Sequence, residues 1–290
     1  MGNGIAQISA VSGYEVRLRD LSEELLGQAR KRIETSLARV VKSGKLTEEQ
    51  AAAALARISF ETSIETAVDG VDIVIEAVPE ILELKHEIFQ AIVAAAPADA
   101  LLGTNTSQLS ITSIGSVLGD DAERLVGTHF FNPPVMMRLV EIVRGLATSD
   151  DAIERAIAYS EALGKEWVIC QKDSPGFITT RAYAALRVEC LKILEEGVAT
   201  AEDVDKALRL GFNFPMGPFE LSDFNGLDIF WHVSKSLIDA YGDRFRPTIG
   251  YKNMVTAGRI GRKVGQGYYK YDADGNRLPA PEAGGTRSGN

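Results

Sequence analysis

His129 and Glu141 are the residues whose types and spacing best support chemistry. The segment Gly127-Thr-His-Phe-Phe-Asn-Pro-Pro-Val-Met-Met-Arg-Leu-Val-Glu141-Ile-Val places one of three histidines at the end of an apolar run. A carboxylate follows twelve residues later, inside a second apolar run. Leu139, Val140, Ile142 and Val143 flank Glu141 in the pattern of a buried strand, where an ionised carboxylate is costly unless it is paired. A histidine across a hairpin-like turn is the natural partner. A carboxylate on one imidazole nitrogen fixes the tautomer and frees the other nitrogen to take a proton, so the spacing describes a general base. Ser107, in Thr104-Asn-Thr-Ser107, is a short donor able to hold a polarised oxygen, and it equally suits the cap of a following helix.

These residues need a scaffold, and the first half of the chain alternates helical and strand patterns. Helices are predicted over 3–12, 22–43, 47–57, 81–96, 111–118 and 150–163, and strands over 15–19, 71–76, 100–104, 125–130 and 167–170. Strands separated by helices imply a parallel, doubly wound α/β sheet with right-handed crossovers. Asp173-Ser-Pro-Gly176 marks a boundary, after which the pattern is all helical over 177–196, 201–209, 217–223 and 226–241. The expected organisation is an α/β domain over 1–172, an all-α domain over 173–272 and a loose tail over 273–290.

The opening residues are unusual for such a sheet. A dinucleotide fold starts with a strand and the turn G-x-G-x-x-G. Here Met1-Gly2-Asn3-Gly4 reads as the last glycine of that fingerprint, and Gly2 stands eighteen residues before Asp20, where a ribose-binding acid is expected. Asp20 would accept from the 2′-hydroxyl of NAD and repel the phosphate of NADP, although Arg17 and Arg19 could soften that repulsion. The first strand and first two glycines are absent, which predicts a gap of about 10 Å in the sheet, twice the usual strand spacing. It also suggests a start placed too late or a truncated chain.

Composition narrows the class. Hydrophobic residues make up 45% and charged residues 24%, ordinary for a globular enzyme. The formal charge of −9 argues against general nucleic-acid binding but leaves room for a local basic patch, such as Arg30, Lys31, Arg32, Arg39 and Lys42. No apolar run approaches the ~20 residues of a membrane span, and no secretory leader is visible, so a cytoplasmic enzyme is expected. Cys170 and Cys190 read as small core residues, and no cluster has metal-ligand spacing. His86 is expected on a surface and His232 in a structural role.

Taken together, the motifs resemble the L-3-hydroxyacyl-CoA dehydrogenase family and its bacterial 3-hydroxybutyryl-CoA branch. The resemblance spans residues 1–272. It rests on Met1-Gly-Asn-Gly-Ile-Ala-Gln7, Ile75-Glu-Ala-Val-Pro-Glu80, Thr104-Asn-Thr-Ser107, His129-Phe-Phe-Asn-Pro133, Asp173-Ser-Pro-Gly-Phe177, Pro215-Met-Gly-Pro218 and Gly261-Arg-Lys-Val-Gly265. It implies a Rossmann-like NAD-binding domain followed by a helical domain that closes the cleft and supplies a homodimer interface. His129 would be the base, Glu141 its orienting partner, and Ser107 the donor to the substrate oxygen. Gly2, Asp20, Ala77, Glu80, Lys85, Ser107, Asn132 and Lys263 would line the cofactor. Ser36, Lys42 and Lys45, with Ser107, would hold a coenzyme A thioester, although Ser43 stands where the family has a further lysine.

A second departure is Thr180, where the family usually has an asparagine near the substrate. Two alternatives stay open: a relative acting on a free hydroxy acid, of the L-gulonate 3-dehydrogenase kind, and a non-catalytic truncated homologue.

Overall fold

A computed structural model describes residues 1–279. Of the tail expected over 273–290, residues 280–290 lie outside the described residues. The chain divides into two compact units, Met1–Ile178 and Thr179 onward.

The first unit runs α1 (Gly2–Val11), β1 (Val16–Arg19), α2 (Glu23–Lys42), α3 (Glu48–Ala56), β2 (Ile58–Glu61), α4 (Ile64–Val68), β3 (Ile73–Glu76), α5 (Leu82–Ala95), β4 (Leu101–Thr104), α6 (Ile111–Gly115), β5 (Leu125–Phe130), β6 (Leu139–Val143), α7 (Asp150–Ala162) and β7 (Glu166–Cys170). The predicted helices and strands are present with shifted ends. The short elements β2 and α4 were not foreseen. β1 pairs only with β2, in parallel, and β3 to β7 form a separate sheet in that order. The strands therefore divide where the gap was expected.

The larger sheet is not all parallel, which corrects the simplest reading of the pattern. β3, β4 and β5 are parallel, β5 and β6 form an antiparallel hairpin, and β6 pairs in parallel with β7. A hairpin needs only a short turn, so residues 131–138 suffice to reverse the chain without a crossover helix.

Both faces of this sheet are covered, which is why its strands are nearly continuous runs of apolar residues. Leu101, Val126, Phe130, Val140 and Ile142 pack with Ile5 of α1 and with Ile153, Ala156 and Tyr159 of α7. On the opposite face Leu102, Leu125 and Val143 pack with Phe89 and Ile92 of α5 and Ile111 and Ile114 of α6. Phe177 joins this second cluster. Asp173 Oδ2 also accepts from Ser110 Oγ at 2.5 Å and from the Thr112 amide at 2.8 Å. These contacts bind residues 173–178 to the first unit, so the boundary falls at Ile178 rather than at Asp173.

The second unit contains α8 (Thr179–Glu195), α9 (Ala201–Phe212), α10 (Pro218–Asn225), α11 (Leu227–Tyr241) and α12 (Ile249–Thr256), the last not foreseen. Two buried carboxylates organise it. Asp205 accepts from the Phe219 and Glu220 amides at 2.8 and 2.9 Å and from the Tyr269 hydroxyl at 2.7 Å. It thus caps α10 from a distance, and Pro218 at the first helical position has no amide to leave unpaired. This accounts for Pro215-Met-Gly-Pro218. Asp223 accepts from the Tyr268 and Tyr269 amides, both at 2.9 Å, and from the Tyr271 hydroxyl at 3.1 Å. Burial raises the pKa of both acids against the lowering pull of these donors.

The tail expected to be loose from 273 onward is held as far as it is described. Arg277 reaches Glu202 at 2.6 Å and stacks 3.5 Å from the Tyr269 ring centre, and the Leu278 amide donates to Lys270 O at 2.8 Å. No helix among the described residues is long and apolar enough to cross a membrane.

Candidate active site

The hairpin register puts His129 directly opposite Glu141. His129 Nδ1 lies 2.7 Å from Glu141 Oε2, with Glu141 fully buried and His129 6% exposed. An ionised carboxylate can only accept, so Nδ1 carries the proton and Nε2 is left as an acceptor. The other oxygen of Glu141 accepts from the Ile178 amide at 3.1 Å. Phe131 and Phe177 pack on the imidazole with ring centres 4.6 and 5.8 Å away. The ring is therefore fixed in tautomer, tilt and position, as a proton-transfer group requires.

Ser107 lies exposed on the loop after β4, and Glu80 sets that loop. Glu80 Oε1 accepts from Thr106 Oγ1 at 2.6 Å, the Ser107 amide at 2.9 Å and the Gln108 amide at 3.1 Å. Beneath it lies a buried pair. Lys85 Nζ donates to both oxygens of Glu76, at 2.7 and 2.9 Å, and lies 3.6 Å from Glu80 Oε2. Lys85, expected to line the cofactor, is 0% exposed beneath that loop. Its ammonium serves Glu76 under the loop 77–80, because a buried cation needs a counter-charge more than it needs solvent.

Two further residues of this site carried no assigned role in the sequence. Glu76 ends β3, is 4% exposed, and also accepts from Thr104 Oγ1 at 2.7 Å. Asn105 Oδ1 accepts from the Phe130 amide at 2.9 Å, tying the end of the histidine strand to the serine loop. The signal for Glu76 was the same as for Glu141, a carboxylate closing an apolar strand. For Asn105 it was membership of Thr104-Asn-Thr-Ser107.

At the other side of the sheet, α1 begins with no side-chain cap. A side chain at Gly2 would stand 3.8 Å from Ala77 Cβ and 4.0 Å from Leu18 Cδ1. The amino end of α1 thus opens between the carboxyl ends of β1 and β3, where its amides and dipole favour an anion. Asp20 follows β1 directly and accepts from the Leu21 amide at 2.8 Å. Arg17 and Arg19 do not turn toward it. They donate to backbone oxygens at Thr62, Thr66 and Asp69. An uncapped helix end bordered by Gly2 and Ala77, with an acid at the adjacent strand end, fits a dinucleotide carrying a free ribose hydroxyl.

The remaining expected residues are distributed more widely. Asn132 is exposed in the turn after His129. On α2, Ser36 is half-buried and Lys42 is exposed at the rim of a groove formed with Leu37, Val41, Ala51 and Leu55. Lys45 is exposed just beyond that helix. Thr180 and Lys263 belong to the second unit. Thr180 is half-buried in the first turn of α8, and Lys263 Nζ lies 2.7 Å from both oxygens of Asp228. His86, expected on the surface, is partly buried with Nε2 2.8 Å from Ser113 O. Burial raises the pKa of the Cys190 thiol to about 11, so it is an inert core residue.

A mostly parallel α/β sheet with an open helix terminus and a carboxylate-oriented histidine is the arrangement of a nicotinamide-dependent dehydrogenase. Residues 1–174 match the model of the 3-hydroxyacyl-CoA dehydrogenase NAD-binding domain, and residues 176–271 match that of the 3-hydroxyacyl-CoA dehydrogenase C-terminal domain. The chain belongs to the 3-hydroxyacyl-CoA dehydrogenase family and uses NAD. It is similar to a probable 3-hydroxybutyryl-CoA dehydrogenase of Bacillus subtilis, with 39% identity over 273 residues and 94% of each chain covered. Mitochondrial hydroxyacyl-coenzyme A dehydrogenase of Rattus norvegicus is 38% identical over 283 residues, covering 93% of this chain and 88% of its own. The crystal structure of (S)-3-hydroxybutyryl-CoA dehydrogenase from Ralstonia eutropha superposes with a TM-score of 0.90 at 40% identity, covering 94% of this chain and 95% of the other.

Proposed function

We propose that the chain interconverts (S)-3-hydroxybutyryl-CoA and acetoacetyl-CoA, with His129 as the general acid–base. The observation that carries this reading is the 2.7 Å contact between His129 Nδ1 and the buried Glu141 carboxylate, which leaves Nε2 as the proton acceptor. In oxidation, Nε2 takes the proton of the 3-hydroxyl as the C3–H bond breaks and the C3–O bond becomes a carbonyl. NAD, when bound, supplies the acceptor for the hydride leaving C3. Glu141 stabilises the imidazolium formed, and Phe131 and Phe177 keep the ring from rotating. Ser107, held by Glu80, donates to the oxygen on which charge changes. In reduction the same atoms act in reverse, and the imidazolium returns its proton.

The cofactor would lie over the amino end of α1, with Gly2 and Ala77 beneath it, Asp20 on its ribose and Asn132 and Glu80 beside the nicotinamide half. The thioester's phosphates would meet Lys42 and Lys45, with Ser36 alongside. Thr180 and Lys263 keep the roles that the family resemblance gives them, the first toward substrate and the second toward cofactor. A homodimer through the second unit suits its exposed apolar side chains: Leu210 and Phe212 on α9, Phe224 on α10 and Ile229 on α11 are 53–77% exposed. A cytoplasmic site of action accords with this chemistry.

The test is NADH oxidation by the purified chain with acetoacetyl-CoA, beside the same assay with NADPH. Turnover with NADH is expected, falling by roughly 10²–10⁴ in His129→Gln. A variant as fast as the parent would remove histidine from the chemistry.

A further inference from the structure

The turn between His129 and Glu141 is held from both sides by residues that have no part in proton transfer. On one side is Lys165. Gly164 ends α7 with φ 66°, and the Gly164 and Lys165 amides close the helix on Glu161 O and Ser160 O at 2.8 and 3.0 Å. This left-handed closure, which glycine adopts without strain, turns the chain into β7 and aims Lys165 across the sheet end. Lys165 Nζ then donates to Pro134 O at 2.6 Å and to Met137 O at 2.7 Å. No carboxylate forms an ion pair with it among the described residues. Partial burial lowers its pKa, so desolvation of the ammonium is offset by two carbonyl oxygens alone.

On the other side is α1. A side chain on Gly4 would stand 3.0 and 3.1 Å from Pro134 Cδ and Cγ, so the bare backbone lets the first turn of α1 close on that ring without displacing it. Pro134 is buried between the two. The turn also carries exposed Asn132 and continues into β6, where the Glu166 amide donates to Arg138 O at 2.9 Å. It is the physical link between the helix end that faces the cofactor and the His129–Glu141 pair.

We propose that Lys165 is a positioning residue for the dehydrogenase reaction, fixing the 132–137 turn so that the amino end of α1 and the catalytic hairpin keep a set separation. The inference rests on the dehydrogenase reading above. It assigns Lys165 no contact with substrate or cofactor. Its removal therefore acts on cofactor placement and turnover rather than on thioester binding.

The experiment compares the parent chain, Lys165→Met and Lys165→Arg. Methionine keeps the apolar stem and removes the donors, whereas arginine keeps charge and donors. Lys165→Met is expected to lower kcat about tenfold and raise the KM for NADH about fivefold, with the KM for acetoacetyl-CoA within about twofold of the parent, since small misplacements of a reacting group act on rate first. A second readout needs no substrate. Arg138 is exposed at the end of the turn, with its side chain 79% accessible. Tryptic cleavage after Arg138, followed by mass spectrometry, is expected to quicken in Lys165→Met and return toward the parent rate in Lys165→Arg. Gly4→Ala, which presses on Pro134 from the opposite side, is expected to show the same kinetic split. Unchanged kinetics and cleavage in Lys165→Met would overturn the proposal, as would losses that arginine does not recover. A parent inert toward acetoacetyl-CoA would overturn the substrate assignment alone, because cleavage and NADH titration still report on the turn.

Discussion

Replacing Glu141 by glutamine isolates what its charge does. The substitution preserves shape in a fully buried position, but it changes what the two ends of the side chain can do. Two groups that meet Glu141 are donors to it: His129 Nδ1–H at 2.7 Å and the Ile178 amide at 3.1 Å. A carboxylate accepts from both, whereas an amide has one acceptor. If its oxygen faces Ile178, its NH₂ faces the imidazole, which then carries its proton on Nε2 and is no longer a base. If its oxygen faces His129, the NH₂ opposes the Ile178 N–H and leaves a buried donor unsatisfied, at about 1–3 kcal/mol. Loss of the charge-assisted bond to the imidazolium adds about 1.5–3 kcal/mol. Together these raise the barrier by roughly 2.5–6 kcal/mol, or about 10²–10⁴ in kcat. Steady-state reduction of acetoacetyl-CoA with NADH reads this directly, and a melting curve confirms that the variant is folded at assay temperature. KM values are expected to stay within about threefold of the parent, because neither atom of the pair binds ground-state substrate alone. Turnover within about fivefold of the parent would refute the assignment of tautomer and charge control to Glu141.

Two other perturbations probe separate parts of the first unit. Asp20→Ser is expected to narrow the NADH-over-NADPH preference at least about tenfold in kcat/KM, since removing the acid removes like-charge repulsion worth more than ~1.4 kcal/mol; an unchanged ratio would move the ribose elsewhere. Burial raises the Tyr159 phenol to about 12 from its ordinary 10. The acid's folded pKa exceeds its unfolded one, so its stabilising contribution is complete below pH 10 and is lost as pH rises toward 12. Tyr159→Phe is expected to flatten the alkaline decline in denaturant midpoint over that window, at the expense of the 2.6 Å bond to Ser9. A decline as steep as the parent's would assign the loss to other tyrosines.

The pairing of His129 with Glu141 was legible because a carboxylate among Leu139, Val140, Ile142 and Val143 has so few ways to be tolerated. Periodicity placed the long helices within about three residues at each end, since each buries a continuous face. β2 and α4 escaped because four or five residues carry too little pattern beside a longer neighbour. The direction of side chains was a different matter. Lys85 was expected to line the cofactor, and only its contact with Glu76, nine residues earlier at the end of β3, shows that its ammonium is internal. Arg17 and Arg19 share a strand face with no hint in the sequence that carbonyls at 62–69 would engage them. The Asp-Ser-Pro-Gly motif marked a real change in chain character, but Phe177 and the Ile178 amide still serve the sheet, so the unit ends after the motif rather than at its first residue.

The division of the strands into two sheets has a thermodynamic consequence. Asp20 stands at the end of the smaller sheet, while Glu80 and Ser107 stand on the larger one, and no backbone ladder joins β1 to β3 among the described residues. Helix α1 crosses that seam, sending Ile5 to the core of the large sheet and Ala10 to the cluster beside the small one. A dinucleotide touching both rims adds a second crossing. Because such a ligand would bind the folded unit and not the unfolded chain, the cohesion of the unit and its affinity for cofactor would be linked by mass action. A substitution that loosens α1 would register as weaker cofactor binding even where it touches no atom of the ligand.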